Sequence, residues 1–146
     1  MKSLTIGVFF LLFPFLLAAQ SKETGEVSLI LDRIEQAFRT ATPATIEDLF
    51  PFALTMRLGD SLYTNASRIQ ALELLKGFFS AKEFLQFHWV ERQKTGKLIY
   101  TSGGKRDTVY VDIELAKLQR EIVLQSLNIS NYPSATMFMD THPLRR

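Results

Sequence analysis

The stretch that decides the fold is KLIYTSGGKRDTVYVDIELAKL, residues 97–118. In its second half, apolar and polar residues alternate, which is the two-residue period of a half-buried strand. The apolar positions are Val109, Val111, Ile113 and Leu115. Gly103-Gly104 separates this run from the one before it, and a glycine pair is typical of a tight turn. The stretch therefore predicts a hairpin of Lys97–Ser102 with Lys105–Leu118.

Strands on both sides extend this hairpin into a meander. Upstream, a strand that begins near Glu83 places Leu85, Phe87 and Trp89 on one face. Downstream, Gln119-Arg120 turns the chain into a last strand, Glu121–Ile129. The second half of the chain is therefore expected to form an antiparallel sheet.

The first half of the chain is mainly helical in its periodicity. Apolar residues recur every three or four positions over Val27–Arg39, which predicts an amphipathic helix. Thr42 is expected to cap a second short helix, Ala44–Phe50, with Pro43 at its first position. Residues 20–26 are polar and are expected to form a flexible lead-in.

A hairpin and a third helix follow. The period returns to two over Leu54–Leu58, and Gly59-Asp60 is expected to turn the chain into a short strand, Ser61–Thr64. Asn65 or Ser67 can then cap a helix over residues 69–79. Its apolar arc is so broad that the helix is expected to be largely buried. Gly77, inside it, is expected to allow close packing. This order predicts an α+β fold, with helices packed on one face of a curved antiparallel sheet.

The N-terminus has the three parts of a signal peptide. Lys2 provides the positive start, the apolar run Leu4–Ala19 follows, and Ala18-Ala19 precedes a polar segment. We therefore expect residues 1–19 to be cleaved and the protein to be exported, periplasmic or secreted, with no stable membrane insertion afterwards. The alternative is an uncleaved anchor, although the run is short against the roughly 20 residues that span a bilayer. The predicted domain is then 27–129, with a tail at 130–146.

Composition excludes several classes of function. The chain has no cysteine, which rules out disulfides, thiolate metal sites and iron–sulfur clusters. Its formal charge is only +2, and basic residues do not cluster, so nucleic acid is not an expected partner. No cofactor motif is present, because Gly103-Gly104 is not followed by a helix that could receive a phosphate.

Several short stretches resemble a known family of exported bacterial proteins, that of domain of unknown function 4783, within the nuclear-transport-factor-2-like (cystatin-like) superfamily. They are Ile34–Phe38, Gly59-Asp60 with Tyr63, Gln70-Ala71 to Phe78-Phe79, Phe84 to His88, and Gly96-Lys97-Leu98 to Thr101. The resemblance implies a cone-shaped sheet wrapped around helices. The family's function is not established, so no functional residue carries over. The chain departs from the pattern at Lys105-Arg106-Asp107, where an arginine and an aromatic residue usually follow the turn.

The superfamily also includes isomerases and dehydratases that use an acid or base inside an apolar pocket. Such chemistry requires a titratable group on the interior face. His88 is the single catalytic candidate, but it falls opposite Phe87 and Trp89 and is expected to be a surface imidazole. Asp112 and Glu114 fall on the polar face of their strand, so they are expected to be solvated rather than a glycosidase pair. His88 and His142 lie too far apart in sequence to suggest a metal site.

Binding without catalysis is the favoured function. A cone-shaped sheet often leaves a cavity, which Phe78, Phe79, Phe87 and Trp89 would line for a small apolar ligand, although an aromatic stripe is more often core. An envelope protein is the other expected partner, and the tail, with Met137–Met139, would either dock on the domain or bind such a partner. A homodimer through an apolar sheet face is a third alternative.

Overall fold

The computed structural model describes residues 6–91 and 95–132, with side chains from Lys22 onward except those of Phe84 and Glu91. The chain divides into two compact units, Met1–Asp32 and Arg33–Arg146. The tail beyond Tyr132, including Met137–Met139 and His142, lies outside the described residues. No helix in the described part of the chain is long and apolar enough to cross a membrane.

The first helix, α1, is Ile6–Thr40 and begins much earlier than the predicted Val27. Residues 20–26, which were expected to be a flexible lead-in, are helical. Lys22 and Glu23 are good helix formers, and Gly25, the one glycine in this segment, reduces helix stability by only about 1 kcal/mol relative to alanine. The first unit includes this helix up to Asp32, and the cleavage of residues 1–19 as a signal peptide stays a prediction.

The second unit contains the remaining elements, and most predicted strands are confirmed. The strands are β1 (Leu54–Leu58), β2 (Ser61–Ala66), β3 (Glu83–Glu91), β4 (Thr95–Ser102), β5 (Lys105–Leu118) and β6 (Glu121–Ser130). They form one curved, mixed sheet in the order β2-β1-β6-β5-β4-β3.

The prediction of a purely antiparallel sheet is wrong at one pair. Strands β1 and β6 are parallel, with Met56 opposite Leu127 and Leu58 opposite Ile129. Because they are parallel, both strands start at the same end of the sheet, where the segment before β1 and the β5–β6 turn border one cavity. Alternation within each strand predicts its faces but contains no information about the direction of a partner distant in sequence.

The second predicted helix is a 3₁₀ helix, Pro43–Leu49, rather than an α-helix. Thr42 precedes it as predicted, but its side chain makes no capping hydrogen bond. Its hydroxyl is instead hydrogen-bonded to that of Thr40. The 3₁₀ helix buries Pro43, Ile46 and Leu49, so packing stabilises this segment without a side-chain cap.

Helix α2, Arg68–Phe79, is capped by Ser67, one of the two predicted caps. The Ser67 hydroxyl accepts the Gln70 backbone N–H at 3.2 Å, and the Gln70 side chain accepts the Ser67 N–H at 3.0 Å. The expectation of a largely buried helix is wrong, since only Ala71, Leu75 and Phe79 are buried and Ile69 is 72% exposed. These three positions, four residues apart, are the single face that a helix presents to a sheet.

Gly77 does not allow close packing, contrary to expectation. A Cβ added there would meet no atom within 4 Å. The close approach lies at Gly96 on β4 instead, where a Cβ would fall on the ring of Phe87. The sheet's inner face supplies the rest of the core, including Met56, Leu98 and Val111, all fully buried.

Candidate functional site

The four aromatic residues predicted to line a ligand cavity belong to one cluster in the second unit. Phe38 connects them: its ring centroid lies 5.3 Å from that of Phe79 and 5.4 Å from that of Phe87. Trp89 packs edge-on against Phe87 at 5.0 Å, and Phe78 against Phe79 at 5.2 Å. The structure therefore brings the predicted residues together, and it adds Phe38, whose helical spacing gave no sign of this role.

This aromatic cluster has the packing of a core. Phe38, Phe79 and Phe87 are buried, and Phe87 fills the space above Gly96. Three of the cavities on the surface of the described residues are lined by other side chains. The assignment of Phe78, Phe79, Phe87 and Trp89 to a ligand site stays a prediction.

Lys82 lies at the Phe78 end of the aromatic cluster. Its Nζ donates to the backbone carbonyl of Phe78 and lies 4.0 Å from the centroid of the Phe78 ring. It also lies 5.0 Å from the ring centroid of Tyr100. Burial lowers the pKa of Lys82, while the Asp107 carboxylate acts in the opposite direction. A lysine just past the end of a helix commonly binds its last carbonyls, so the structure assigns Lys82 to capping α2.

Tyr100 has a perturbed pKa for a related reason. Its hydroxyl donates to Asp107 at 3.4 Å across the β4–β5 pair. Burial raises the pKa of Tyr100, and the nearby Asp107 carboxylate raises it further. No local pattern in the sequence marks Lys82 as a neighbour of Tyr100 and Asp107, because its position depends on how α2 meets the sheet, whereas Tyr100 and Asp107 are opposite each other in the β4–β5 hairpin.

The predicted catalytic candidate, His88, is exposed on the outer face of the sheet, opposite Lys97. It lines none of these three cavities. Asp112 and Glu114 also lie on the outer face, as the alternation predicted. Among the described residues, no three metal-ligating side chains converge.

A cavity of about 420 Å³ lies at the end of the sheet where β1 and β6 begin, and we call it the Phe52 cleft. Residues from the segment before β1, the start of α2 and the β5–β6 turn line it. Those on which its chemistry depends are Asp48, Phe50, Phe52, Arg68, Leu118 and Glu121. Phe52 is 97% exposed and Leu118 is 52% exposed, so the cleft joins apolar surface to charged groups.

Arg68 holds one wall of the Phe52 cleft. Its Nε and Nη2 atoms donate to the Phe50 carbonyl oxygen at 3.2 and 2.9 Å, which ties α2 to the segment before β1. Asp48 is paired with Arg33 from α1. The hydrogen bond from Arg33 is the largest influence on Asp48 and lowers its pKa. Arg68 is the cation among the residues that line the cleft, and its charge also helps to lower the pKa of Asp48.

The turn that borders the cleft has an uncommon backbone. Gln119 and Arg120 have φ angles of 49° and 78°, a region that residues other than glycine rarely occupy. Two successive positive φ angles match the tight turn that joins β5 to β6, where asparagine and glycine are usual. Strained backbone of this kind is concentrated at binding and catalytic sites.

Comparison with known proteins shows the fold. No family model and no curated protein matches the chain. A domain-of-unknown-function 4783 protein from Bacteroides uniformis is 15% identical, with a TM-score of 0.53 over 70% of this chain and 96% of that one. A putative dehydratase of the NTF2-like family from Streptomyces avermitilis is 14% identical, with a TM-score of 0.56 over 79% and 99%.

A third solved structure is the putative calcium/calmodulin-dependent protein kinase II association domain from Xanthomonas campestris. It is 17% identical, with a TM-score of 0.52 over 75% of this chain and 87% of that one. Identities this low carry no activity from one protein to another. The chain therefore has the nuclear-transport-factor-2-like α+β fold, and its structural neighbours include a member of the domain-of-unknown-function 4783 family.

Proposed function

We propose that this chain is an exported, non-enzymatic binding protein that holds a small amphipathic ligand in the Phe52 cleft. Export rests on the sequence of residues 1–19, with Lys2 ahead of a long apolar run. The ligand's apolar part would cover Phe52 and Leu118, and its polar or anionic part would face Arg68.

The observation that carries this proposal is the exposure of Phe52 at a cavity of about 420 Å³. Covering a phenylalanine side chain is worth about 1.5–3 kcal/mol, so its exposure leaves free energy available for a ligand. The volume is within the range of small-molecule sites, which combine apolar walls with a few polar groups. Leu118 supplies a second apolar surface, and Arg68 supplies donors at a fixed position.

The groups around the cleft favour binding over catalysis. Asp48 is paired with Arg33, and its lowered pKa keeps it ionised, so it is a poor general acid. Lys82 and Tyr100, whose pKa values are shifted by burial, are not among the residues that line the cleft. His88 is exposed on the outer face of the sheet, so its position does not support the alternative of an isomerase or hydrolase that uses His88.

The outer face also bears on the dimer alternative. A sheet-mediated dimer of the apolar kind requires exposed apolar residues on that face. The outer face of the central strands is instead mixed: Lys97, Thr101, Glu114, Ser126 and Asn128 are polar, and Ile99 and Tyr110 lie among them. An envelope protein whose side chain enters the Phe52 cleft remains the competing occupant.

The test is native mass spectrometry of the protein purified gently from its own host, as wild type and as Phe52→Ala and Ile69→Ala variants. Ile69 is the matched control, because it is 72% exposed on α2 but does not line the cleft. We expect wild type and Ile69→Ala to retain an additional small mass and Phe52→Ala to lose it.

A retained protein instead of a small mass would establish the competing occupant. If all three proteins are free of ligand, fluorescence of 1-anilinonaphthalene-8-sulfonate, an aromatic sulfonate, supplies the second measurement. Equal binding of this probe by wild type and Phe52→Ala would overturn the proposal.

A further inference from the structure

Two arginines hold the segment between α1 and β1 at the Phe52 cleft. Arg33 of α1 donates from Nη2 to the backbone carbonyl of Thr45 at 2.8 Å and also to Asp48 Oδ1. Arg68 of α2 donates from Nε and Nη2 to the backbone carbonyl of Phe50. Asp48, Phe50 and Arg68 are among the residues that line the cleft, and Arg33 is not. Arg33 therefore acts on the cleft through the residues that it binds.

Asp48 combines an anchored backbone with an exposed side chain. Its neighbours Ile46 and Leu49 are 1% and 4% exposed, so the 3₁₀ helix is fixed in the core. The carboxylate itself is at the surface, where the nearest opposite charge determines its direction more than packing does. In the structure this opposite charge is that of Arg33, and the hydrogen bond from Arg33 is the largest influence on the pKa of Asp48.

Arg68 is a second cation that acts on the same carboxylate. Its charge also lowers the pKa of Asp48, although by less than Arg33 does. Asp48 and Arg68 therefore attract each other along the wall of the cleft. Without Arg33, this attraction would turn the Asp48 carboxylate toward Arg68, because the stronger competing cation would be gone.

Such a turn would change what Arg68 can bind. A guanidinium has five N–H donors, and the Phe50 carbonyl oxygen accepts hydrogen bonds from two of its nitrogen atoms. An Asp48 carboxylate on Arg68 would engage further donors and would repel another anion at the same place. A bound anion and Asp48 therefore compete for Arg68, and Arg33 decides this competition by binding Asp48.

We propose that Arg33 makes the Phe52 cleft selective for an anionic ligand by holding the Asp48 carboxylate away from the Arg68 guanidinium. This inference rests on the proposed function of the cleft and names the class of its ligand, an organic carboxylate or sulfonate with an apolar part that covers Phe52. Arg33 is a positioning residue, since the ligand would contact Arg68. Glu121, the other carboxylate among the lining residues, is present in every variant below, so its charge does not affect the comparison.

The test is a fluorescence titration of wild type and variants with two probes that differ in one group. 1-Anilinonaphthalene-8-sulfonate carries the anion, and N-phenyl-1-naphthylamine is the same aromatic system without the sulfonate. We expect Arg33→Gln to weaken binding of the sulfonate about tenfold, because a charge-assisted contact with Arg68 is lost. Binding of the uncharged probe should change by less than about twofold, because its contact with Phe52 is retained.

Two further variants separate the repositioning of Asp48 from damage to the fold. Adding Asp48→Asn to Arg33→Gln should restore binding of the sulfonate, because asparagine has no charge with which to occupy Arg68. Arg39→Gln is the matched control. It breaks the ion pair with Glu35 on α1, and neither of these residues lines the cleft, so both probes should bind as they do to wild type. Unchanged circular dichroism would show that all the variants are folded.

The outcomes distinguish this inference from the proposed function of the cleft. Equal binding of the sulfonate by wild type and Phe52→Ala would overturn the proposed function, and this inference with it. Weaker binding by Phe52→Ala together with unchanged binding by Arg33→Gln would overturn this inference alone. Equal weakening of both probes in Arg33→Gln, or no recovery in the double variant, would also overturn it, because Arg33 would then only support the wall of the cleft through Thr45.

Discussion

The ring of Phe87 on β3 lies directly over Gly96 on β4, so close that a Cβ on Gly96 would be 2.0 Å from Phe87 Cζ. Gly96 is opposite Trp89, and Phe87 is opposite Leu98, so the ring crosses diagonally to the next strand. Phe87 also contacts Phe38, which joins this strand pair to α1. The absence of a side chain at Gly96 is therefore a requirement of the aromatic cluster.

Gly96→Ala is expected to destabilise the fold by about 1–3 kcal/mol, because Phe87 must leave its position in a packed core. The measurement is the free energy of unfolding from urea denaturation. Gly77→Ala is the matched control, since a Cβ there meets nothing within 4 Å. It is expected to stabilise α2 by about 0.5–1 kcal/mol. Equal effects at the two glycines would contradict the close contact between Phe87 and Gly96.

Ser67→Ala is expected to cost about 1 kcal/mol of stability, because it removes the acceptor for the Gln70 N–H at the start of α2. Asn65, the other cap that the sequence allowed, is exposed in β2. Asn65→Ala should change stability by less than about 0.5 kcal/mol, as at most surface positions. Chemical denaturation of the two variants side by side measures the difference, and the reverse order would assign the cap to Asn65.

Arg33→Gln is expected to make stability less dependent on acid pH. The pKa of Asp48 is lowered in the folded protein from an ordinary value of 3.8, chiefly by the hydrogen bond from Arg33. The pair therefore contributes stability above pH 3.8, and this contribution is lost as the pH falls further. Both side chains are largely exposed, so the contribution is below about 1 kcal/mol. The free energies of unfolding of wild type and Arg33→Gln, measured from pH 2.5 to 6, should converge at the acid end. A difference between them that does not change with pH would exclude Asp48 as the group involved.

Tyr100→Phe is expected to protect the fold at alkaline pH. The raised pKa of Tyr100 means that the folded protein holds the phenolic proton above pH 10.0, where the unfolded chain releases it. Stability from this group is complete below pH 10.0 and is lost as the pH rises through the folded value. Thermal unfolding between pH 8 and 11 should show a shallower decline for the variant. Lys82, whose pKa is lowered by burial, is present in both proteins, so its titration contributes to both curves.

Local patterns in the sequence predicted much of the fold and little of the candidate sites. The alternation over 109–115 placed Val111 inside and Asp112 outside, and the structure agrees. Prediction was weaker for α2, where a broad apolar arc did not show which side meets the sheet, and Ile69 proved exposed. The Phe52 cleft was missed, because Phe52, Arg68 and Leu118 are far apart in sequence. The only local signal was Phe52 itself, an aromatic residue that follows Pro51 and lies outside every predicted helix and strand.

By itself, the sequence determined the strands, the glycine turns and a helix cap at Asn65 or Ser67, because these depend on residues within a few positions of one another. Only the tertiary structure decided the parallel pairing of β1 with β6, the closeness of Phe87 to Gly96 and the Phe52 cleft. The physical reason is that periodicity sets which face of an element is apolar, while the choice of partner depends on burial and hydrogen bonding summed over the whole sheet.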